Sequence, residues 1–84
     1  MEIRLNIPDY NGHSLESTWE ENFNIRTSVN ANEIILSANK AGLISLAKQL
    51  LTLAQDEYKI GSHFHYDDFN SLESGSEQLI IEKI

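Results

Sequence analysis

One helical period constrains the fold of this chain more than any other feature. From Asn39 to about Gln55, the residues Leu43, Ile44, Ala47, Leu50, Leu51 and Ala54 recur at steps of three and four, while Lys40, Lys48, Gln49 and Gln55 fall mostly off that stripe. A helix with one apolar face needs a second element to cover it, so the stripe is expected to lie on a sheet. Asn39 is placed to cap this helix, because its side-chain oxygen can accept an orphan N–H of the first turn. Gly42 stands in that turn, where glycine costs about 1 kcal/mol relative to alanine, and its presence predicts close packing against a strand.

The segments around the helix alternate with the period of two that marks half-buried strands. In Glu2 to Ile7, the residues Ile3, Leu5 and Ile7 share a face, and Pro8 ends the run. Asp9 to Ser14 is rich in turn formers, and the spacing of Ser17 and Glu20 matches a capping box, which predicts a short helical turn around Trp19. Phe23, Ile25, Thr27 and Val29 then alternate with polar neighbours, and Asn30-Ala31-Asn32 connects them to Glu33 to Ala38 as a hairpin. Beyond the helix exit at Asp56 to Gly61, Ser62 to Phe69 reads as a strand with His63, His65 and Asp67 on one face. Asn70 to Gly75 supplies a turn, and Glu77 to Ile84 returns as the antiparallel partner. The expected fold is α+β and two-layered: a mainly antiparallel sheet of about five strands under one long helix, in the order β-β-β-α-β-β.

Size and charge narrow the function. The 84 residues suit a single domain over 1–84 and leave little interior for a deep substrate cavity. With no cysteine there is no disulfide, thiolate metal site or thiol nucleophile, which suits the reducing cytoplasm. No apolar run approaches the roughly 18 residues that cross a bilayer, and no basic-then-apolar leader opens the sequence, so neither membrane insertion nor export is expected. Six basic against thirteen acidic residues give a net charge of −7, which speaks against nucleic acid as a ligand and favours a basic partner.

His63 and His65 carry the sharpest chemical signal, since two residues apart on a strand sets both imidazoles on one face. A catalytic zinc needs three protein ligands and an open position, for which His63, His65 and Asp67, or His13 in place of the carboxylate, are the candidates. Polar strand faces of this kind also arise without metal, and no Glu-plus-His pattern completes a zinc signature, so a structural role or partner contact is preferred over metal. Asp67, Asp68, Glu73 and Glu77 gather around one hairpin, where carboxylates can pair with Arg or Lys across an interface. Trp19, Tyr10, Tyr58 and Tyr66 are candidate interface anchors, with Trp19 equally suited to a core. No serine lies in a Gly-x-Ser-x-Gly turn, and the glycines are too scattered to cradle phosphate. Binding without catalysis and without a cofactor is the expectation.

Three segments then become recognisable: Ala38-Asn39-Lys40-Ala41-Gly42-Leu43, Gly61-Ser62-His63-Phe64-His65-Tyr66-Asp67, and Gly75-Ser76-Glu77-Gln78-Leu79-Ile80-Ile81. Their "Asn-x-x-Gly-Leu", "Gly-x-His-x-His-x-Asp" and "Gly-Ser-x-x-Leu-Ile-Ile" patterns, in this order, resemble a family of small bacterial immunity proteins from polymorphic toxin systems. The N-terminal third takes no part in the resemblance. It implies a cytoplasmic protein that binds a cognate toxin domain and blocks it, with no reaction of its own. The acidic composition makes a basic toxin, for example a nuclease, the natural partner. The surface expected to meet it is His63, His65, Asp67, Asp68 and Glu73. A homodimer through an unpaired edge of Glu77 to Ile84 is an alternative association.

Overall fold

A computed structural model describes residues 1–12 and 15–84. The described residues form β1 (Ile25–Asn30), β2 (Glu33–Ala38), α1 (Lys40–Leu53), β3 (His63–Tyr66) and β4 (Leu79–Glu82). The α+β class and the single helix agree with the sequence. The number and arrangement of strands do not: two antiparallel pairs, β1–β2 and β3–β4, replace one five-stranded sheet. His13 and Ser14, at the end of the turn expected after Pro8, lie outside the described residues.

The hairpin forms where alternation predicts it. Asn30 faces Glu33 across the two-residue turn Ala31-Asn32, and the register runs back to Ile25 opposite Ala38. Ile25 and Thr27 are buried and Arg26 and Ser28 exposed, so one face of β1 meets the core. At the junction with α1, the Asn39 side chain accepts the Gly42 N–H at 2.8 Å and the Asn24 N–H at 3.0 Å, joining helix cap and strand entry through one oxygen. A Cβ on Gly42 would stand 2.6 Å from the Asn24 carbonyl oxygen and 2.9 Å from Ile25 Cγ1, which is the close strand approach that this glycine predicts.

Glu2 to Ile7 forms no strand. Alternation supplies a face but does not by itself pair a strand with a neighbour, and the outer edge of β1 is covered instead by residues 73–77. The Glu73 N–H donates to the Ile25 carbonyl at 2.9 Å and the Glu77 N–H to the Thr27 carbonyl at 3.3 Å. Thr27 answers with its own N–H to Ser76 Oγ at 3.2 Å and its hydroxyl to the Glu77 carbonyl. The two ladders are thus joined by a hydrogen-bonded connection.

The helical turn around Trp19 is also missing, because the chain before β1 uses its backbone groups on α1 instead. Ser45 Oγ accepts the Glu20 N–H at 2.8 Å, and Gln49 Nε2 donates to the Thr18 carbonyl at 3.3 Å. Further out, Gln55 Nε2 donates to the Pro8 carbonyl at 2.9 Å. An irregular segment carries backbone groups that no ladder satisfies, so the helix surface beneath it must be polar.

That requirement turns the helix. Its buried side is Gly42, Ser45, Leu46, Gln49, Thr52 and Leu53. The apolar stripe expected to lie on a sheet faces outward, with Leu43, Leu50 and Leu51 at 55%, 49% and 51% exposure. Leu46 and Leu53 alone carry the helix into the core, where they join Ile25, Phe64, Tyr66 and Leu72.

Candidate functional site

The β3–β4 hairpin begins at a bend that only glycine accommodates well. Gly61 has φ +95° and lies third in the turn Lys59–Ser62, closed by the Ser62 N–H donating to the Lys59 carbonyl at 3.0 Å. Its N–H donates to the Lys83 carbonyl at 2.8 Å while the Lys83 N–H donates to the Ser62 carbonyl at 2.9 Å. Two residues therefore oppose one, a glycine bulge that aims the strand to follow.

From this bend the period of two sorts the strand. Phe64 and Tyr66 turn inward opposite Ile81 and Leu79, and His63 and His65 turn outward opposite Glu82 and Ile80. His63 Nδ1 lies 3.1 Å from the Gly61 carbonyl, and His65 Nε2 lies 2.9 Å from Gln78 Oε1. Each exposed imidazole commits one ring nitrogen to the protein, and the other makes no hydrogen bond among the described residues.

Asp67 does not continue this row. The strand ends at Tyr66, and the Asp67 carboxylate accepts the Phe69 N–H at 2.9 Å and the Asn70 N–H at 3.0 Å. Its carbonyl accepts from Leu72 N–H at 2.9 Å, so Asp67 organises the turn that buries Leu72. Asp68 is exposed and accepts the Gly75 N–H at 3.5 Å. Glu73 is exposed too, its carboxylate accepting from Asn24 Nδ2 at 2.9 Å. The acidic residues thus sit on a connection pinned at Asn24 and Ile25, next to the strand that carries the two histidines.

The structure leaves no zinc cage to describe: among the described residues, no three His, Cys, Asp or Glu side chains come together. His13 lies outside those residues. The four aromatic candidates divide. Tyr58 and Tyr66 are buried, and Trp19 is half-buried, stacked on Phe23 at 4.4 Å and edge-on to Tyr66 at 5.9 Å. Tyr10 remains largely open and meets Tyr58 edge-on at 5.1 Å. These two tyrosines, with Leu15 and His63, line an open groove of about 430 Å³. Burial pushes the Tyr58 phenol above its usual pKa, and the Glu16 charge pushes the same way.

Exposed apolar side chains are what sequence reasoning missed. Besides Leu43, Leu50 and Leu51, the strand β2 shows Ile34 at 80%, Ile35 at 38% and Leu36 at 39% exposure. The run Ile34-Ile35-Leu36 was the available signal, since three consecutive apolar residues on a strand cannot all face one core.

Among the described residues no helix is long and apolar enough to cross a membrane. No curated protein and no solved structure matches this chain. A family model described as Immunity protein 32 matches residues 33–84, a segment that runs from β2 to the end of the chain and contains both histidines and the acidic connection. That match takes in more than half of the sequence, and the chain belongs to the Immunity protein 32 family.

Proposed function

We propose that this protein is the cytoplasmic immunity partner of a polymorphic toxin and neutralises its cognate toxin domain by stoichiometric binding, without catalysis. Membership in the Immunity protein 32 family carries this reading, because the matched segment holds every residue of the proposed surface. His63 and His65 project from a strand fixed by the glycine bulge, and Asp68 and Glu73 lie on a connection held by backbone hydrogen bonds. Such a surface loses little side-chain and loop freedom on binding. Asp67 serves it by shaping the turn. The net charge of −7 favours a basic toxin, for example a nuclease, whose Arg and Lys would pair with the carboxylates.

The test begins with the tagged chain drawn from its native bacterium, which is expected to bring a toxin-bearing chain in equal amount. Co-expressing that toxin domain with the wild-type chain should restore growth. His65→Glu combined with Asp68→Lys should abolish protection while leaving the circular dichroism spectrum unchanged. Failure of the wild-type chain to protect would overturn the function, and full protection by the folded double variant would overturn the surface.

A further inference from the structure

We propose that two copies of this chain associate through the open edge of β2, each β2 pairing antiparallel with the other about a twofold axis between the two Ile35 residues. β2 is the terminal strand of its ladder, with β1 on one side and no strand on the other among the described residues. Thr27 directs its N–H and carbonyl away from β2, toward Ser76 and Glu77, so Thr27 and its partner Leu36 form a pair without mutual hydrogen bonds. By the alternation of an antiparallel ladder, Ile34 and Leu36 turn their N–H and carbonyl groups to the open edge. The strand is apolar on both faces there, with Ile34, Ile35 and Leu36 all exposed. An open edge of that composition is a template for another strand.

What selects a second copy as the occupant is self-complementarity of charge. With Ile35 opposite Ile35 of the second copy, Ile34 and Leu36 face each other as hydrogen-bonded pairs and Ser37 faces Glu33 of the second copy. Within the chain, Arg26 faces Ser37. Arg26, Ser37 and Glu33 of the second copy then lie in one row on one face. The outer two are two strand spacings apart, about 10 Å, a gap that the long Arg and Glu side chains close over the small serine. The twofold axis makes this ion pair twice. Arg26 and Glu33 are exposed and make no ion pair among the described residues. They are also the only charged residues of the hairpin, so the facing surfaces are neutral although each chain carries −7. Sliding the register by two residues sets Glu33 opposite Asn39 or Ile35 and loses both pairs.

Sedimentation and light scattering on the full chain, from low micromolar to about 1 mM, test this. The expected result is a reversible dimer. Ile34→Lys, at a position that touches little of its own fold, should give a monomer, whereas Ile80→Lys on the outer face of β4 should leave the dimer intact. Arg26→Glu and Glu33→Arg should each weaken association by about tenfold, and the double reversal should recover it. Circular dichroism confirms that each variant is folded. A monomer at every concentration overturns the proposal, as does a dimer indifferent to Ile34→Lys. Loss of the dimer in the single charge variants without recovery in the double reversal overturns the register.

Discussion

The phenol of Tyr66 donates to Oε1 of Gln49, linking β3 to α1 through the middle of the core. Both side chains are nearly inaccessible, and the Gln49 amide also donates to the Thr18 carbonyl, so one glutamine holds three parts of the chain. Tyr66→Phe leaves a buried acceptor without its donor and is expected to cost about 1–3 kcal/mol in urea unfolding. Gln49→Leu strands both the phenol and the Thr18 carbonyl and should cost more. In the double variant the Tyr66 loss is already absorbed, so the two effects should fall short of their sum by about 1 kcal/mol.

The same phenol sets an alkaline limit. Burial pushes its pKa well above the usual 10.0. Below that value folded and unfolded chains both keep the proton, and stability from this group does not vary with pH. Above it the unfolded chain ionises first while the folded chain must stay protonated, so stability falls as pH rises past about 10. Urea midpoints measured from pH 7 to 11 should be level and then decline, and Tyr66→Phe should decline less steeply.

At Gly42 two effects of opposite sign compete. Alanine would favour the helix by about 1 kcal/mol. Its Cβ would also meet the Asn24 carbonyl oxygen at 2.6 Å, a backbone atom that moves only with the strand. The clash should win, and Gly42→Ala is expected to lower stability by about 1–3 kcal/mol in thermal or urea unfolding.

Ala31 occupies the first position of the β1–β2 turn with φ +57°. A side chain there crowds the neighbouring backbone, a strain that glycine does not suffer. Ala31→Gly should raise stability by up to about 1 kcal/mol, with the greater freedom of the unfolded glycine chain offsetting part of the relief. The melting temperature reads it directly.

Two leucines one turn apart on α1, one buried and one exposed, should behave in opposite ways. Leu46, at 8% exposure, packs in the core, and Leu46→Ala is expected to cost about 2–5 kcal/mol. Leu43, at 55%, faces outward, and Leu43→Gln should change stability by no more than about 0.5 kcal/mol. Large losses for Leu43→Gln in urea unfolding would restore the stripe to a buried face.

The residues that act locally were the legible ones. Asn39 as a cap, Gly42 as a close approach, the β1–β2 hairpin and the outward histidines each follow from neighbours within a few positions. Local pattern misleads where a distant segment decides. Ser45, Gln49 and Thr52 look like a solvent face until the carbonyl of Thr18, the N–H of Glu20 and the phenol of Tyr66 come to rest on that side of the helix. Ile3, Leu5 and Ile7 have strand periodicity but pair with no strand, and the outer edge of β1 goes to residues 73–77, which reach it across a sequence gap that no short pattern reports. Asp67 fits the alternation of the row and leaves it because its carboxylate closes a turn with Phe69 and Asn70.

The hydrogen bonds between β1 and residues 73–77 set kinship and autonomy at different lengths. The family match begins at residue 33, yet Ile25 is wholly buried and its strand supplies the edge on which the acidic connection rests. A fragment cut at the start of the match would keep the recognisable signature and lose the strand against which it is assembled. The shortest piece that can be inherited as a working module is therefore longer than the piece by which its ancestry is traced.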